Sequence, residues 1–383
     1  MSTGTAAGVH YVAHPPGDGL GEAAAGYIDL LRADGVPVAW TPLAWGPQGL
    51  APCADVPSPG RHRDVIGTPP GDTVVLHTLL PWLDRLREQL PARRHLALAT
   101  WEADALDPSI VASLNRLDGV IVPSEFNREV FVRSGVEVPV SVVPHVHRPA
   151  QPCPGGIPGV PDGAFVFYLI ATWSTRKAVP ETIVAFLDEF GPDEDVALVV
   201  KTTGLDAMAV ERRARSGEPP GRTEETWWSL ARLVAGRRTP PVHLLAGDLP
   251  DEHIRRLHTR GDCLLSITRS EGFGLTPFEA GAHGNPTIAT GFGATPEVLP
   301  PRYPLLVAHE LVATIDEEPD GWIDLSAEQR WARPDFGHAR ALMRWAFEHR
   351  DQAAEIGDRV RRHVAARYGA EAVGRSLRRA LDG

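Results

Sequence analysis

Cysteine is scarce in this chain of 383 residues: Cys53, Cys153 and Cys263 are the only three. They are too few and too scattered for a disulfide framework or a structural zinc site, so free thiols in a reducing cytosol are expected. No stretch is apolar for the length that a bilayer span needs. The opening residues, MSTGTAAGVHYVAHPPG, lack the basic region and apolar run of a signal peptide, and a cytoplasmic location is expected. Cations do not predominate: 38 Lys and Arg stand against 49 Asp and Glu, a formal net charge of −11. That balance argues against a nucleic-acid backbone as partner. No Asp-x-Asp pair marks a metal site. No G-x-G-x-x-G fingerprint is intact either. Between Pro15 and Glu22 the glycines fall at 17, 19 and 21, with Glu22 at the last position, which disfavours a nicotinamide cofactor.

What is present is ordinary globular composition, 43% hydrophobic and 23% charged. Single cores stop growing at roughly 250–300 residues, so two domains are expected. Abundant Ala, Arg, Gly and Pro fit a bacterial gene of high GC content. Short β-rich runs alternate with helical patterns. The strand candidates of the first half are Val9–Ala13, Val36–Trp40, Thr73–His77, His95–Trp101, Val120–Pro123 and Val140–Pro144. Helix candidates between them are Glu22–Arg32, Trp82–Leu90, Pro108–Leu117 and Glu125–Ser134, the last with Ser124 as N-cap and Gly135 past its end. This alternation predicts βαβ units and parallel sheets. Residues 151–163, crowded with Pro and Gly, read as a linker after an N-terminal domain of residues 1–150. In a second domain, 164–345, the strands are Phe165–Ala171, Val196–Lys201, Val242–Ala246, Cys263–Thr268 and Thr287–Thr290. Its helices include Glu181–Phe190, Glu224–Ala235, Asp251–Arg260 and Phe278–Ala282. A helical tail, 346–383, is expected to pack back on the N-terminal domain. The fold class predicted is α/β, two Rossmann-like domains facing a cleft, with ligands outside the carboxyl ends of the strands.

One segment stands above the rest: Ser270-Glu-Gly-Phe-Gly-Leu-Thr-Pro-Phe-Glu279. It follows a strand candidate. Gly272 and Gly274 allow a tight turn and close approach to a ligand. Pro277 suits a first helical turn, with Thr276 placed as N-cap. Amides around Gly274, Leu275 and Thr276 would then form a helix N-terminus that attracts an anion, a pyrophosphate above all. Glu271 and Glu279 bracket that anion site, and carboxylates accept hydrogen bonds from sugar hydroxyls. The plain alternative is that Thr276-x-x-Glu279 is a capping box and Glu271 a solvated loop carboxylate. The pair, its spacing and the glycine loop together favour binding.

Glu-x7-Glu enclosing EGFGL resembles the signature of family 4 retaining glycosyltransferases, which have the GT-B fold. Further segments resemble the same family: Val122-Pro-Ser-Glu-Phe-Asn-Arg, Val143-Pro-His, Ala171-Thr-Trp-Ser-Thr-Arg-Lys, Leu198-Val-Val-Lys201 and Glu279-Ala-Gly-Ala-His-Gly-Asn-Pro-Thr-Ile-Ala-Thr. The resemblance runs from about Gly17 to Leu299. It implies that Glu279 binds the nucleotide ribose, that Glu271 contacts donor-sugar hydroxyls, and that Phe273, Gly274, Leu275 and Thr276 form the diphosphate-binding loop. It implies that Lys177 and Lys201 hold the diphosphate. The family's arginine a few residues before Lys177 is missing, with Thr172 and Trp173 in that region, and Arg176 is the substitute. The loop with Gly19 and Gly21 is a donor- or acceptor-side candidate, with a simple tight turn as the alternative. Thr100-Trp101-Glu102 stands where the family often has a histidine, and resembles a bacterial mannosyltransferase subgroup, which makes Glu102 a candidate. His77 and His145 end strands and are candidates near the sugar, although packed or turn histidines are the commoner case.

The activity so implied is transfer of a hexosyl group with retention, from a nucleotide diphosphate sugar to a glycan, lipid-linked or secondary-metabolite acceptor. GDP is favoured over UDP or dTDP. The leaving phosphate would take the acceptor proton, so no protein nucleophile is nominated, and neither cofactor nor metal is expected. Arg85, Arg87, Arg93 and Arg94 fit at most a peripheral membrane contact, and more often such a run is a solvated face. The rival readings are a GT-B nucleotide-sugar epimerase and a catalytically silent nucleotide-sugar-binding subunit.

Overall fold

Five consecutive buried residues, Val9–Ala13, form the first strand, β1. A run buried on both faces is what a parallel sheet covered by helices requires. The computed structural model describes residues 8–17, 19–46, 49–53, 60–67, 72–216, 224–314 and 328–383. It divides into two units. The first comprises residues up to Trp101, Ala105–His147 and Arg367–Gly383; the second comprises Glu102–Asp104 and Arg148–Ala366.

In the first unit β1 is joined by β2 (Val38–Gly46), β3 (Gly49–Pro52), β4 (Thr73–His77), β5 (Arg94–Leu98), β6 (Gly119–Val122) and β7 (Val140–Val142). The order is β3-β2-β1-β4-β5-β6-β7. All pairings are parallel except the β2–β3 hairpin, which the sequence reading did not anticipate. The helices are α1 (Gly19–Ala33), α2 (Leu83–Gln89), α3 (Pro108–Leu114) and α4 (Glu125–Arg133). Ser124 caps α4 by accepting from the Asn127 amide, as its position predicts. Strand β5 ends earlier than expected. The Asn127 side chain bonds both the amide and the carbonyl of Trp101, replacing the ladder partners a longer strand would use.

The second unit holds β8 (Phe165–Ile170), α5 (Val179–Glu189), β9 (Val196–Thr202), α6 (Ala207–Ser216), α7 (Thr226–Val234), β10 (Val242–Ala246), α8 (Asp251–Arg260), β11 (Cys263–Ser266), α9 (Leu275–His283), β12 (Thr287–Thr290), α10 (Thr295–Val298) and β13 (Leu306–Val307). Its sheet is parallel, in the order β10-β9-β8-β11-β12-β13. A separate antiparallel ladder pairs β14 (His309–Ala313) with β15 (Arg330–Pro334). The Pro/Gly-rich stretch 151–163 has no regular element, and it contributes to this unit's core: Ile157 and Val160 are buried with Val166, Tyr168 and Leu264.

Three helices close the chain: α11 (Phe336–Glu348), α12 (Arg350–Arg367) and α13 (Ala370–Asp382). Only α13 belongs wholly to the first unit. Its Val373, Leu377 and Ala380 are buried with Tyr27, Ile28 and Leu31 of α1, and Arg378 pairs with Asp34. Helix α11 packs on α5 in the second unit, where Arg344 pairs with Glu189 and Glu194. Helix α12 lies on α9. A Cβ on Gly281 would stand 2.6 Å from Val360 Cγ1, and one on Gly357 would stand 1.9 Å from the Gly284 carbonyl oxygen. Glycine is what lets these backbones approach so closely.

Candidate functional site

The parallel register brings four strand ends of the second unit to one edge. Ile170 of β8 pairs with Lys201 of β9, and Ser266 of β11 with Ala289 of β12. The segments leaving these ends carry the charged residues singled out from the sequence. This edge is where ligands of open α/β sheets bind.

Arg176 and Lys177 follow β8. Glu271 follows β11. The Lys177 Nζ donates to Glu271 Oε1 at 2.6 Å, and Arg176 Nη1 lies 3.5 Å from Glu271 Oε2. Arg176 also donates to the Ser270 carbonyl at 2.8 Å and lies 3.7 Å from Glu102 Oε1. Glu271 is 8% exposed, so it is not a solvated loop carboxylate. Burial acts to raise its pKa, but the charges of Lys177 and Arg176 outweigh burial and hold the carboxyl below its usual value. Burial lowers the Lys177 ammonium, opposed by Glu271. Ala178, next in the chain, has φ 48° and ψ 40°, left-handed values that a non-glycine residue adopts at a cost. Its carbonyl accepts from both the amide and the hydroxyl of Thr182. A shallow recess is lined by Ile170, Lys177, Thr182, Thr268, Glu271 and Thr276.

The N-cap of α9 is Gly274, with φ 91°, and not Thr276 as expected. Left-handed backbone at Gly274 starts the helix at Leu275, which places Thr276 inside its first turn. The Thr276 hydroxyl donates instead to the Ile170 carbonyl at 3.3 Å, tying the helix start to the end of β8. No side chain caps α9, so the capping box with Glu279 does not form. The amides of Leu275 and Thr276 are first-turn N–H groups without intrahelical acceptors, and Pro277 has none to offer. Gly293, with φ 74°, was not singled out from the sequence. A Cβ there would stand 2.8 Å from the Glu271 carbonyl oxygen, so the segment after β12 fits against the Glu271 backbone only as glycine. Glu279 is half-exposed, 3.9 Å from Nε2 of the buried His258.

The ammonium of Lys201, at the end of β9, forms no hydrogen bond or ion pair among the described residues. Burial lowers its pKa, with Asp248 acting the other way. An ammonium kept half-buried without a partner is unfavourable unless a ligand completes it. Lys177 and Lys201 are the only two lysines in the chain; the remaining basic side chains are arginine or histidine. That scarcity was a signal in the sequence that motif reading did not use. Lysine survives where a compact ammonium, and not a planar fork, suits the site.

In the first unit, Gly19 opens α1. A Cβ on Gly21 would stand 1.9 Å from the Pro15 carbonyl oxygen, so this glycine makes the tight turn fit. Asp18, between the loop's glycines, lies outside the described residues. His77 Nδ1 is 2.8 Å from the Tyr11 hydroxyl, and its ring lies edge-on to Tyr11 and Tyr27. Burial, with His145 and His14 nearby, holds His77 well below its usual pKa. His145 packs on Tyr27, and burial pushes its pKa down to about 3. Both are buried neutral imidazoles at pH 7. Of the four arginines read as a surface run, Arg94 bonds the Leu381 carbonyl and Arg85 lies over the Trp82 ring. No helix among the described residues is long and apolar enough to cross a membrane.

No family model matches this sequence, and no curated protein does. Solved structures do. Sucrose-phosphate synthase from Thermosynechococcus elongatus is 16% identical, with a TM-score of 0.65 over 98% of each chain. Trehalose-6-phosphate synthase, OtsA, is 12% identical, with a TM-score of 0.62 over 98% of this chain and 99% of that one. Anabaena HepE, solved in complex with UDP and glucose, is 14% identical, with a TM-score of 0.60 over 98% of this chain and 99% of the other. The likeness shows the fold expected from the sequence, GT-B, built from two Rossmann-like α/β units with helices at the C-terminal end.

Proposed function

We propose that this chain is a retaining glycosyltransferase that moves a hexosyl group from a nucleotide diphosphate sugar to an acceptor. The observation that carries the reading is Glu271, buried and held ionised by Lys177 and Arg176 beside the free first-turn amides of α9. An acid that accepts from sugar hydroxyls thus stands next to cations and amides that donate to phosphate oxygens. As the glycosidic bond breaks, charge grows on the leaving diphosphate. Lys177, Lys201 and the amides of Leu275 and Thr276 stabilise it, each such donor contributing roughly 3 kcal/mol. Lys177 gives one N–H to Glu271 and keeps two for phosphate oxygens. Arg176 takes the place of the family's arginine: Trp173 is 1% exposed, whereas the Arg176 guanidinium reaches Glu271 and Glu102. The leaving phosphate accepts the acceptor's proton, so the chain's own groups bind, orient and neutralise.

The resemblance to family 4 rests on Glu271-x7-Glu279, and that to mannosyltransferase-like members on Trp101-Glu102, which favours a GDP-sugar. HepE was solved with UDP. A thermal-shift panel of GDP, UDP, dTDP and ADP decides between them, because a ligand that binds the native state raises the melting temperature. One nucleotide diphosphate raises it clearly more than the others; no shift with any of them would discard the reading. Donor consumption then requires an acceptor, unlike epimerisation, and persists in EDTA because Lys177, Arg176 and Lys201 supply the positive charge.

A further inference from the structure

His258 of α8 is buried, and its Nδ1 lies 2.9 Å from the Tyr168 hydroxyl. Asn285 Nδ2 lies 2.7 Å from the Tyr168 hydroxyl oxygen and 2.7 Å from the His258 carbonyl oxygen. A carbonyl can only accept, so this Asn285 atom is the amide nitrogen, and both of its N–H groups are engaged. The Tyr168 oxygen accepts from Asn285, and because the hydroxyl has no other acceptor among the described residues its one proton is directed at His258 Nδ1. That leaves Nδ1 as the acceptor nitrogen and puts the ring proton on Nε2. Nε2 is buried without a hydrogen-bond partner among the described residues, and faces Glu279 Oε2 at 3.9 Å. His283 stacks on the ring at 5.1 Å between centroids.

We propose that Asn285, Tyr168 and His258 form a relay that positions Glu279 for the nucleotide ribose. The inference rests on the ribose role given to Glu279 in the proposed function. With an N–H behind Oε2, the carboxylate turns Oε1 and its remaining lone pairs toward vicinal hydroxyls, although its own helix gives it no capping partner. His258 is a positioning residue, acting through Glu279. Tyr168→Phe removes the group that pins the tautomer. The imidazole is then free to present a bare Nε2 to the carboxylate, which repels it.

The test is isothermal calorimetry with UDP and GDP, carrying forward the tighter binder and its 2′,3′-dideoxy form. Wild type, Tyr168→Phe, Glu279→Gln and the double variant are compared. In wild type the ribose form binds more tightly than the dideoxy form. Tyr168→Phe weakens the ribose form about fivefold and leaves the dideoxy form unchanged, and the loss vanishes in the Glu279→Gln background, as coupled neighbours require. His258→Gln, which keeps an N–H donor, retains most of the ribose preference, whereas His258→Phe loses it; this pair serves if Tyr168→Phe does not fold. A fivefold loss that persists in the Glu279→Gln background overturns the relay. A ribose preference untouched by Glu279→Gln overturns the ribose role itself, a separate failure.

Discussion

Lys177 Nζ lies 2.6 Å from Glu271 Oε1, joining residues 94 apart in the chain at the carboxyl edge of one sheet. Truncating Glu271 leaves the Lys177 ammonium without its carboxylate partner, whereas Glu271 without Lys177 would still face Arg176 at 3.5 Å. Glu271→Ala and Lys201→Ala are each expected to lower kcat/KM at least about tenfold, the first by losing an acceptor for donor-sugar hydroxyls and the second by losing a cation for the leaving diphosphate. Lys201→Ala melts like wild type because its ammonium has no internal partner to lose. Steady-state kinetics with the preferred donor, beside melting curves, is the check. Wild-type rates in both variants would discard the site.

With two lysines in the chain, amine chemistry reads the site directly. Burial lowers the pKa of both amines, but the Lys177 ammonium is engaged with Glu271 whereas that of Lys201 has no partner among the described residues. A succinimidyl ester is expected to label Lys201 faster than Lys177, because the Lys177 amine is held by Glu271 and the Lys201 amine is not. The preferred nucleoside diphosphate slows labelling of both. Peptide mass spectrometry follows each site, with the N-terminal amine as reference. Equal Lys201 labelling with and without nucleotide would remove Lys201 from the donor site.

Gly357→Ala places a methyl group where the Gly284 carbonyl oxygen stands at 1.9 Å. The two backbones must separate, and overpacking of this kind costs about 1–3 kcal/mol. A melting temperature lowered by several degrees, with weaker nucleotide binding because α9 shifts, is the expected outcome. Unchanged melting would show that α12 does not hold α9.

The buried histidines of the first unit set an acid limit. His145 titrates at about 3 and His77 well below 6.5 in the folded chain. Unfolded, each binds a proton near 6.5. Between the two values the unfolded state holds more protons, so stability falls as pH drops from about 6.5, by about 1.4 kcal/mol per pH unit for each histidine. His145→Gln is expected to melt with a shallower pH dependence between pH 7 and 5. An unchanged slope would place the acid sensitivity elsewhere.

Much of this was legible in the chain itself. The runs Val9–Ala13, Thr73–His77, Val242–Ala246 and Thr287–Thr290 are strands with the bounds expected of them, because apolar β-branched runs between turn signals have few other options. Ser124 announced its helix for the same local reason. The spacing of Glu271 and Glu279 around a glycine turn marked the site. The helix start was misread by two residues: Thr276 and Gly274 both suit an N-cap, and the choice depended on the Ile170 carbonyl, 106 residues away, drawing off the Thr276 hydroxyl.

Sequence by itself determined the alternating elements, the presence of a glycine turn before α9 and the two carboxylates that bracket it. Each of these follows from side chains within a few positions of one another. Only the tertiary structure decided that Glu271 is ionised by Lys177, that Gly357 admits α12 onto α9, and that His258 faces Glu279 with its N–H. Charge state, close approach and tautomer depend on what stands across space, and parallel sheets bring together segments that the chain keeps far apart.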